Sequence, residues 1–290
     1  MKPSVSHFLP IRGLRYHVRT WGEPSETPLV LLHGWMDVSA SFQFLVDALA
    51  QDRYVVAPDW RGFGLSEWAP DGYWFADYFA DLDALLDHFS PGRPATVLGH
   101  SMGGNVLGLY AGIRPQRIAR MMLAEGFGLK PTTPEQAPER YGRWLDQLRG
   151  DEGFRAYASL AEVAARLRKT NPRLPEDKAR FLAPHWSMTR ADGTLVPAAD
   201  PRHRHVHPVL YRQEEALACW SRATAPALWI CSGDPEWMKQ FAGDDAADWA
   251  RRRAAFRSMH ECTIPGSGHM LHHDQPELLA REVEKFLAEP

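Results

Sequence analysis

Apolar positions along this chain fall into two rhythms. Residues 6–20 alternate apolar and polar about Gly13, the period-two pattern of an antiparallel hairpin. After Pro28 the run LVLLHG is continuously apolar, which suits a short strand buried on both faces. Helix-like and strand-like segments then take turns: SFQFLVDALA helical, RYVVAPD strand, YWFADYFADLDALLDHF helical, ATVLGH strand, NVLGLYAGI helical, RMMLAEG strand. Buried strands separated by amphipathic helices predict an α/β fold, with a mostly parallel sheet flanked by helices and wound through right-handed crossovers.

Between about Lys130 and Arg222 the alternation stops. RYGRWLDQL, FRAYASLAEVAARLRK and EDKARFLAPHW carry helical periodicity among many Pro and Arg residues, and no segment there reads as a buried strand. The rhythm resumes with APALWICSG (strand), DDAADWARRRAAF (helix), CTIPGSG (strand) and PELLAREVEKFLAE (helix). Neither flank alone completes the sheet, so the expected organisation is a core of residues 1–129 and 223–290 with a helical cap, residues 130–222, inserted in it.

Composition narrows the partners. With 44% hydrophobic and 24% charged residues, the 290-residue chain can bury one sizeable core. The formal net charge of -3 is spread over mixed-sign segments without a block of like charge, which argues against nucleic acid and membrane surfaces and leaves a small molecule as the expected partner. The chain itself is expected to be a monomer or a homodimer. Cys219, Cys231 and Cys262 are too few and too scattered for a disulfide framework, and no leader-like or membrane-length apolar run occurs, so the expected location is cytoplasmic.

Candidate chemistry centres on VLGHSMGG at 97–104, where Gly99, Ser101 and Gly103 form GxSxG. The pattern gains weight from its place between the strand ATVLG and a helix, where a sharp turn lifts the serine hydroxyl clear of the sheet. Gly99 and Gly103 omit side chains that would collide in such a turn, and the N–H of Met102, at the start of the helix, becomes an oxyanion donor. HGWMD begins a loop at the same carboxyl edge, so Gly34 lets the N–H of Trp35 supply a second donor, while the side chains of His33 and Trp35 brace and pack. The base is expected to be His269 in PGSGHMLHHDQPE, just past the last strand, in a loop that Gly266 and Gly268 free from steric strain. His272 and His273 are weaker candidates.

HGW, DWRGFGLS at 59–66, GHSMGG and GSGH, in this order and at these separations, resemble the α/β-hydrolase superfamily over nearly the whole chain. HGWMDVSASF, with an insertion followed by HPVLYRQEEALACW, looks most like its serine hydrolase-like branch, for which no substrate is implied. The resemblance implies a serine nucleophile, a histidine and an acid preceding that histidine. The family usually takes this acid from the loop after the strand that follows the insertion. Asp234, immediately after Gly233, is the first choice there, with Glu236 and, at the end of the strand after the serine, Glu125 as alternatives.

The expected activity is therefore a cofactor-free serine hydrolase cleaving a small or medium carboxylic ester through an acyl-enzyme. A lactone, thioester or carbon-carbon bond remains an alternative substrate, and a non-catalytic ligand-binding role the alternative from another class. Trp144, Phe154, Leu160, Phe181 and Trp186 of the cap, over Trp35 and Met102, are candidates to line an apolar pocket, although aromatics at helical spacing more often form a cap's own core. Asp59 and Arg61 read as a structural pair in a turn built on Gly62 and Gly64. His203, His205 and His207 share one side of an extended segment, but without an acidic or cysteine partner they are not assigned a metal.

Overall fold

The computed structural model describes residues 1–150 and 153–289. Its principal sheet has eight strands in the order β1 (Ser4–Ile11), β2 (Leu14–Trp21), β4 (Val55–Pro58), β3 (Leu29–Leu32), β5 (Ala95–His100), β6 (Ile118–Ala124), β9 (Ala227–Ser232), β10 (Met259–Ile264). β1 and β2 form the antiparallel hairpin that the period-two pattern predicts, β2 pairs antiparallel with β4, and every pairing from β4 to β10 is parallel. Side chains of the parallel strands alternate between two apolar clusters. Val30 and Leu32 of β3 join one cluster, Leu29 and Leu31 the other, which is why LVLL carries no polar residue.

Helices cover both faces of the sheet. The first cluster is shared with α2 (Phe75–Phe89), α3 (Met102–Ile113) and α7 (Gln213–Trp220) through Leu82, Leu107 and Trp220. The second is shared with α1 (Gln43–Ala48) and α11 (Pro276–Ala288) through Leu45, Leu279 and Val283.

The chain between β6 and β9 contributes α4 (Ala137–Arg149), α5 (Leu160–Thr170) and α6 (Glu176–Trp186), then a short antiparallel pair, β7 (Ser187–Thr189) and β8 (Leu195–Pro197), and α7. The small β7–β8 pair departs from the expectation of helix alone. With three residues in each strand it is too short to leave an apolar signature. FRAYASLAEVAARLRK is helical only from Leu160, where Ser159 caps the helix by accepting from the N–H of Glu162. α7 lies against α3, and Trp220 is buried in the first sheet cluster, so this last helix of the inserted stretch packs with the core rather than over the sheet edge. Val163, Ala164, Leu174, Ala179, Leu182 and Ala183 form a third, separate cluster between α5 and α6.

After β9 come α8 (Pro235–Ala242) and α9 (Ala246–Ala255), and after β10 a single turn, α10 (Leu271–Asp274), leads into α11. α8 and α10 lie in stretches that hydrophobic periodicity left as loops.

Candidate active site

The turn from β5 into α3 is tight because two peptide segments cross it without room for a side chain. A methyl group on Gly99 would lie 2.5 Å from the carbonyl carbon of Gly103, and one on Gly103 would collide with the Leu32 carbonyl and sit 2.8 Å from that of His33. Ser101 between them has φ 52° and ψ -115°, a conformation non-glycine residues seldom adopt. Its amide donates to the carbonyl of Ala124 at 2.8 Å, and its own carbonyl accepts from Asn105 at 3.0 Å, so the strained residue is held from both sides.

His269 stands after β10 in the loop before α10, and its Nε2 is 3.1 Å from Ser101 Oγ. On the other side of the ring, Nδ1 faces Glu125 Oε2 at 3.5 Å. The Glu125 side chain is fully buried, and its other oxygen accepts from the Ser232 amide at 2.6 Å. Glu125 has φ 55°, a second left-handed residue at the site, which turns its carboxylate from the end of β6 toward the histidine. Burial lowers the His269 pKa, and the hydrogen bond and negative charge of Glu125 oppose that shift without cancelling it. The imidazole is accordingly neutral at pH 7 and able to accept a proton.

Asp234 is not brought to His269. Its carboxylate caps α8, accepting from the Glu236 amide at 3.3 Å, and pairs with Arg173 at 3.2 Å. The family's usual loop is taken up here by a helix that starts at once at Pro235, and this converts the expected acid into an N-cap. Glu236 is exposed and paired with Lys239 at 2.9 Å. Of the three carboxylates, Glu125 is the one that meets the histidine.

The histidine loop is tied to the inserted helices. Asp274 accepts from the Gly268 amide at 2.8 Å and from Asn171, in the loop after α5, at 2.7 Å, while Lys178 of α6 donates to the His273 carbonyl at 2.8 Å. His272 and His273, weaker candidates for the base, are both buried and turned to Ser41 instead of Ser101.

Gly34 lies against the turn, where an added methyl group would sit 3.1 Å from Ser101 Cβ. His33 braces this loop: its Nε2 accepts from the Trp60 amide at 2.9 Å, and its Nδ1 is 2.7 Å from the Gly34 carbonyl. The Trp35 ring is half exposed, with its indole N–H on the His203 carbonyl at 3.2 Å, so it borders an opening instead of packing into the core.

That opening leads into a cavity of about 360 Å³ lined by Trp35, Met102, Tyr73, Trp74, Phe75, Tyr78, Trp144, Leu148 and the histidines of 203–207. Trp144 was foreseen in the lining. Phe181 and Trp186 pack on the α5–α6 cluster, Leu160 is exposed on α5 and Phe154 packs against the first sheet cluster, so the inserted stretch lines the cavity through Leu148 and residues within 202–208 instead. The other contributors that the sequence reading does not name come from 70–78, at the start of α2, whose aromatics resemble ordinary helix-core residues in sequence.

His203 is sandwiched between Phe63 and Tyr73, at centroid distances of 3.8 and 3.6 Å, and burial pushes its pKa down to about 3. Its Nε2 meets the Arg61 carbonyl, and His207 meets the Phe75 amide, so this histidine run serves the cavity wall. Asp59 and Arg61 are not a pair with each other. Asp59 holds His17 at 2.7 Å and the Ser39 amide at 2.6 Å, whereas Arg61 holds Asp81 at 2.5 Å, because the chain leaves β4 at Pro58 and turns at Arg61–Gly62.

Comparison with known proteins places the chain. Residues 27–276 match the family model described as the alpha/beta hydrolase fold. The chain belongs to the α/β-hydrolase fold family. Within that family it is 26% identical to a serine hydrolase-like protein of Danio rerio, over 99% of this chain and 90% of that protein. It is 25% identical to esterase YbfF of Escherichia coli, over 91% and 94%. It is 27% identical to a cis-3-alkyl-4-alkyloxetan-2-one decarboxylase of Shewanella oneidensis, over 99% and 89%. Among solved α/β-hydrolases, a thioesterase domain from the curacin biosynthetic pathway superposes with a TM-score of 0.86 at 22% identity, covering 98% of this chain and 99% of that one.

Proposed function

We propose that this protein is a serine hydrolase acting on carboxylic esters through an acyl-enzyme, with Ser101 as nucleophile, His269 as general base and Glu125 as the acid that orients it. The observation that carries the reading is the line Ser101 Oγ, His269 Nε2 at 3.1 Å, and His269 Nδ1 to Glu125 Oε2 at 3.5 Å. In the reaction His269 takes the hydroxyl proton as Ser101 attacks the acyl carbon, and Glu125 stabilises the imidazolium that forms. The amides of Trp35 and Met102 receive the oxyanion of the tetrahedral intermediate. Collapse returns the proton from His269 to the departing alcohol, and a water activated by the same histidine then releases the acid.

Two features favour an apolar or aromatic ester of small to medium size. The cavity beside Met102 is walled mostly by rings, and burial lowers the pKa of both His203 and His207 in its wall. Its one lining guanidinium, Arg202, is occupied by Asp200 and by the carbonyls of Ala69 and Pro70, which leaves little to recommend a charged substrate. Lactones and thioesters present the same acyl centre to the same groups. They are tested beside esters because an oxetanone decarboxylase and a thioesterase domain are among the similar proteins.

A fluorophosphonate probe reads the nucleophile directly. Wild type labels stoichiometrically and Ser101→Ala does not; equal labelling of both would overturn the assignment. Turnover of a p-nitrophenyl ester series from acetate to decanoate, with a lactone and a thioester alongside, then ranks the substrate classes.

A further inference from the structure

Behind the proposed catalytic groups lies a second set of titratable side chains that the reaction does not use. Asp37 after β3, His100 at the end of β5 and His272 of α10 each present one atom able to bind a metal, and these atoms all lie within 4.8 Å of one another. The three side chains are buried, at 6%, 1% and 1% exposure. Among the described residues this is the one such grouping.

Its polar atoms are poorly matched within the protein. Asp37 Oδ2, His100 Nδ1 and His272 Nδ1 are buried without a hydrogen-bond partner among the described residues. Buried polar groups are almost always satisfied, so Asp37 Oδ2 and His100 Nδ1, two orphans in one cluster, point to an occupant held between them and one ring nitrogen of His272. Asp37 Oδ2 lies 3.6 Å from His272 Nε2, beyond hydrogen-bond distance but close to the separation of two ligands on one cation. The His272 Nε2 also meets the Ser41 hydroxyl at 3.2 Å, and that hydroxyl has His273 as its other partner. The rings of His100 and His272 are 4.5 Å apart between centroids.

Tautomer and charge suit a cation. His100 Nε2 donates to the His269 carbonyl at 2.8 Å, which leaves Nδ1 with its lone pair and mirrors the way metal-bound histidines are fixed by their second nitrogen. Two imidazoles and one carboxylate form a donor set for zinc and its neighbours in the first transition row.

We propose that Asp37, His100 and His272 bind a divalent transition-metal ion of the zinc type at a buried site separate from the nucleophile. The site adjoins the catalytic base, since the His100 and His269 rings are 4.7 Å apart between centroids. A dication there opposes the positive charge that His269 acquires during turnover, so occupancy lowers turnover, by at least about tenfold.

The test titrates the whole protein, freed of metal by a chelator, with Co²⁺ and then Zn²⁺, reading binding by the visible absorption of cobalt and by calorimetry. Wild type and His269→Gln each take up one ion, and His272→Gln and Asp37→Asn bind it at least about tenfold more weakly. No uptake by wild type overturns the proposal and leaves a water as the occupant. Uptake lost in His269→Gln but kept in His272→Gln overturns it as well, since the ion would then sit on the catalytic histidine. The wild-type titration decides the matter even if a variant fails to fold. Metal uptake by protein that the fluorophosphonate leaves unlabelled would count against the hydrolase reading and not against this site.

Discussion

Replacing Glu125 by Gln removes one negative charge from the site while keeping the side chain's length and the acceptor that meets the Ser232 amide. The carboxylate lies 3.5 Å from His269 Nδ1 and its side chain is fully buried. At an effective dielectric of about 20, a unit charge pair at that distance interacts by about 5 kcal/mol, which is the most that Glu125 can contribute to the imidazolium formed as Ser101 attacks. At about 1.4 kcal/mol per decade this charge term is worth up to about 3,000-fold, and with the Gln oxygen kept on the Ser232 amide its NH2 faces Nδ1 and favours the tautomer protonated at Nε2, so kcat should fall by about 10³–10⁴ with KM little changed. Asp234→Asn is the matched control. Its carboxylate is about one-third exposed and bound to Arg173, so kcat should stay within about twofold and only a few tenths of a kcal/mol of stability should be lost. Steady-state kinetics on p-nitrophenyl butyrate, with circular dichroism to verify folding, separates the two. Full activity in Glu125→Gln together with a hundredfold loss in Asp234→Asn would refute the assignment of the acid.

The pH profile gives an independent reading. Because burial lowers the pKa of His269 and the base must be neutral, kcat/KM should hold steady above the ordinary histidine range and fall only below it. Glu125 opposes that lowering, so the acidic limb of Glu125→Gln should move to still lower pH; an unmoved limb would mean that the two groups are not coupled. Gly103→Ala places a methyl group against the Leu32 and His33 carbonyls, and strain of about 1–3 kcal/mol should lower Tm by several degrees in a thermal shift assay. Trp144→Ala enlarges the cavity wall, and kcat/KM for octanoate relative to acetate should change by about tenfold or more; a uniform change across chain lengths would place the acyl group elsewhere.

Much of this architecture was legible in the chain because its strands are apolar on both faces and its turns need particular residues. Val30 and Leu32 serve one cluster and Leu29 and Leu31 the other, which is what an uninterrupted apolar run means in a parallel sheet. The meeting of Ser101 with His269 was readable from position alone, since both follow strands that end at the same edge. The acid was not, because both Asp234 and Glu125 follow strands ending at that edge, and distance along the chain does not say which carboxylate turns inward. Local helix formation at Pro235 drew Asp234 into a cap, and the left-handed φ that turns Glu125 inward leaves no mark in the sequence, where its place at the end of the strand after the serine was the signal in its favour. Cavity walls were legible only in part. Trp144 lines the cavity, but Phe181 and Trp186 pack on the α5–α6 cluster, as amphipathic helices joined by a short loop tend to pack on each other.

The central claim, that Ser101 carries the acyl group during turnover, is tested most directly by mass spectrometry of protein acid-quenched within the first turnovers of p-nitrophenyl butyrate. The account predicts one butyryl increment on the peptide containing Ser101, with no increment in Ser101→Ala. Hydrolysis at wild-type rate by Ser101→Ala, or an increment on another residue, would contradict it.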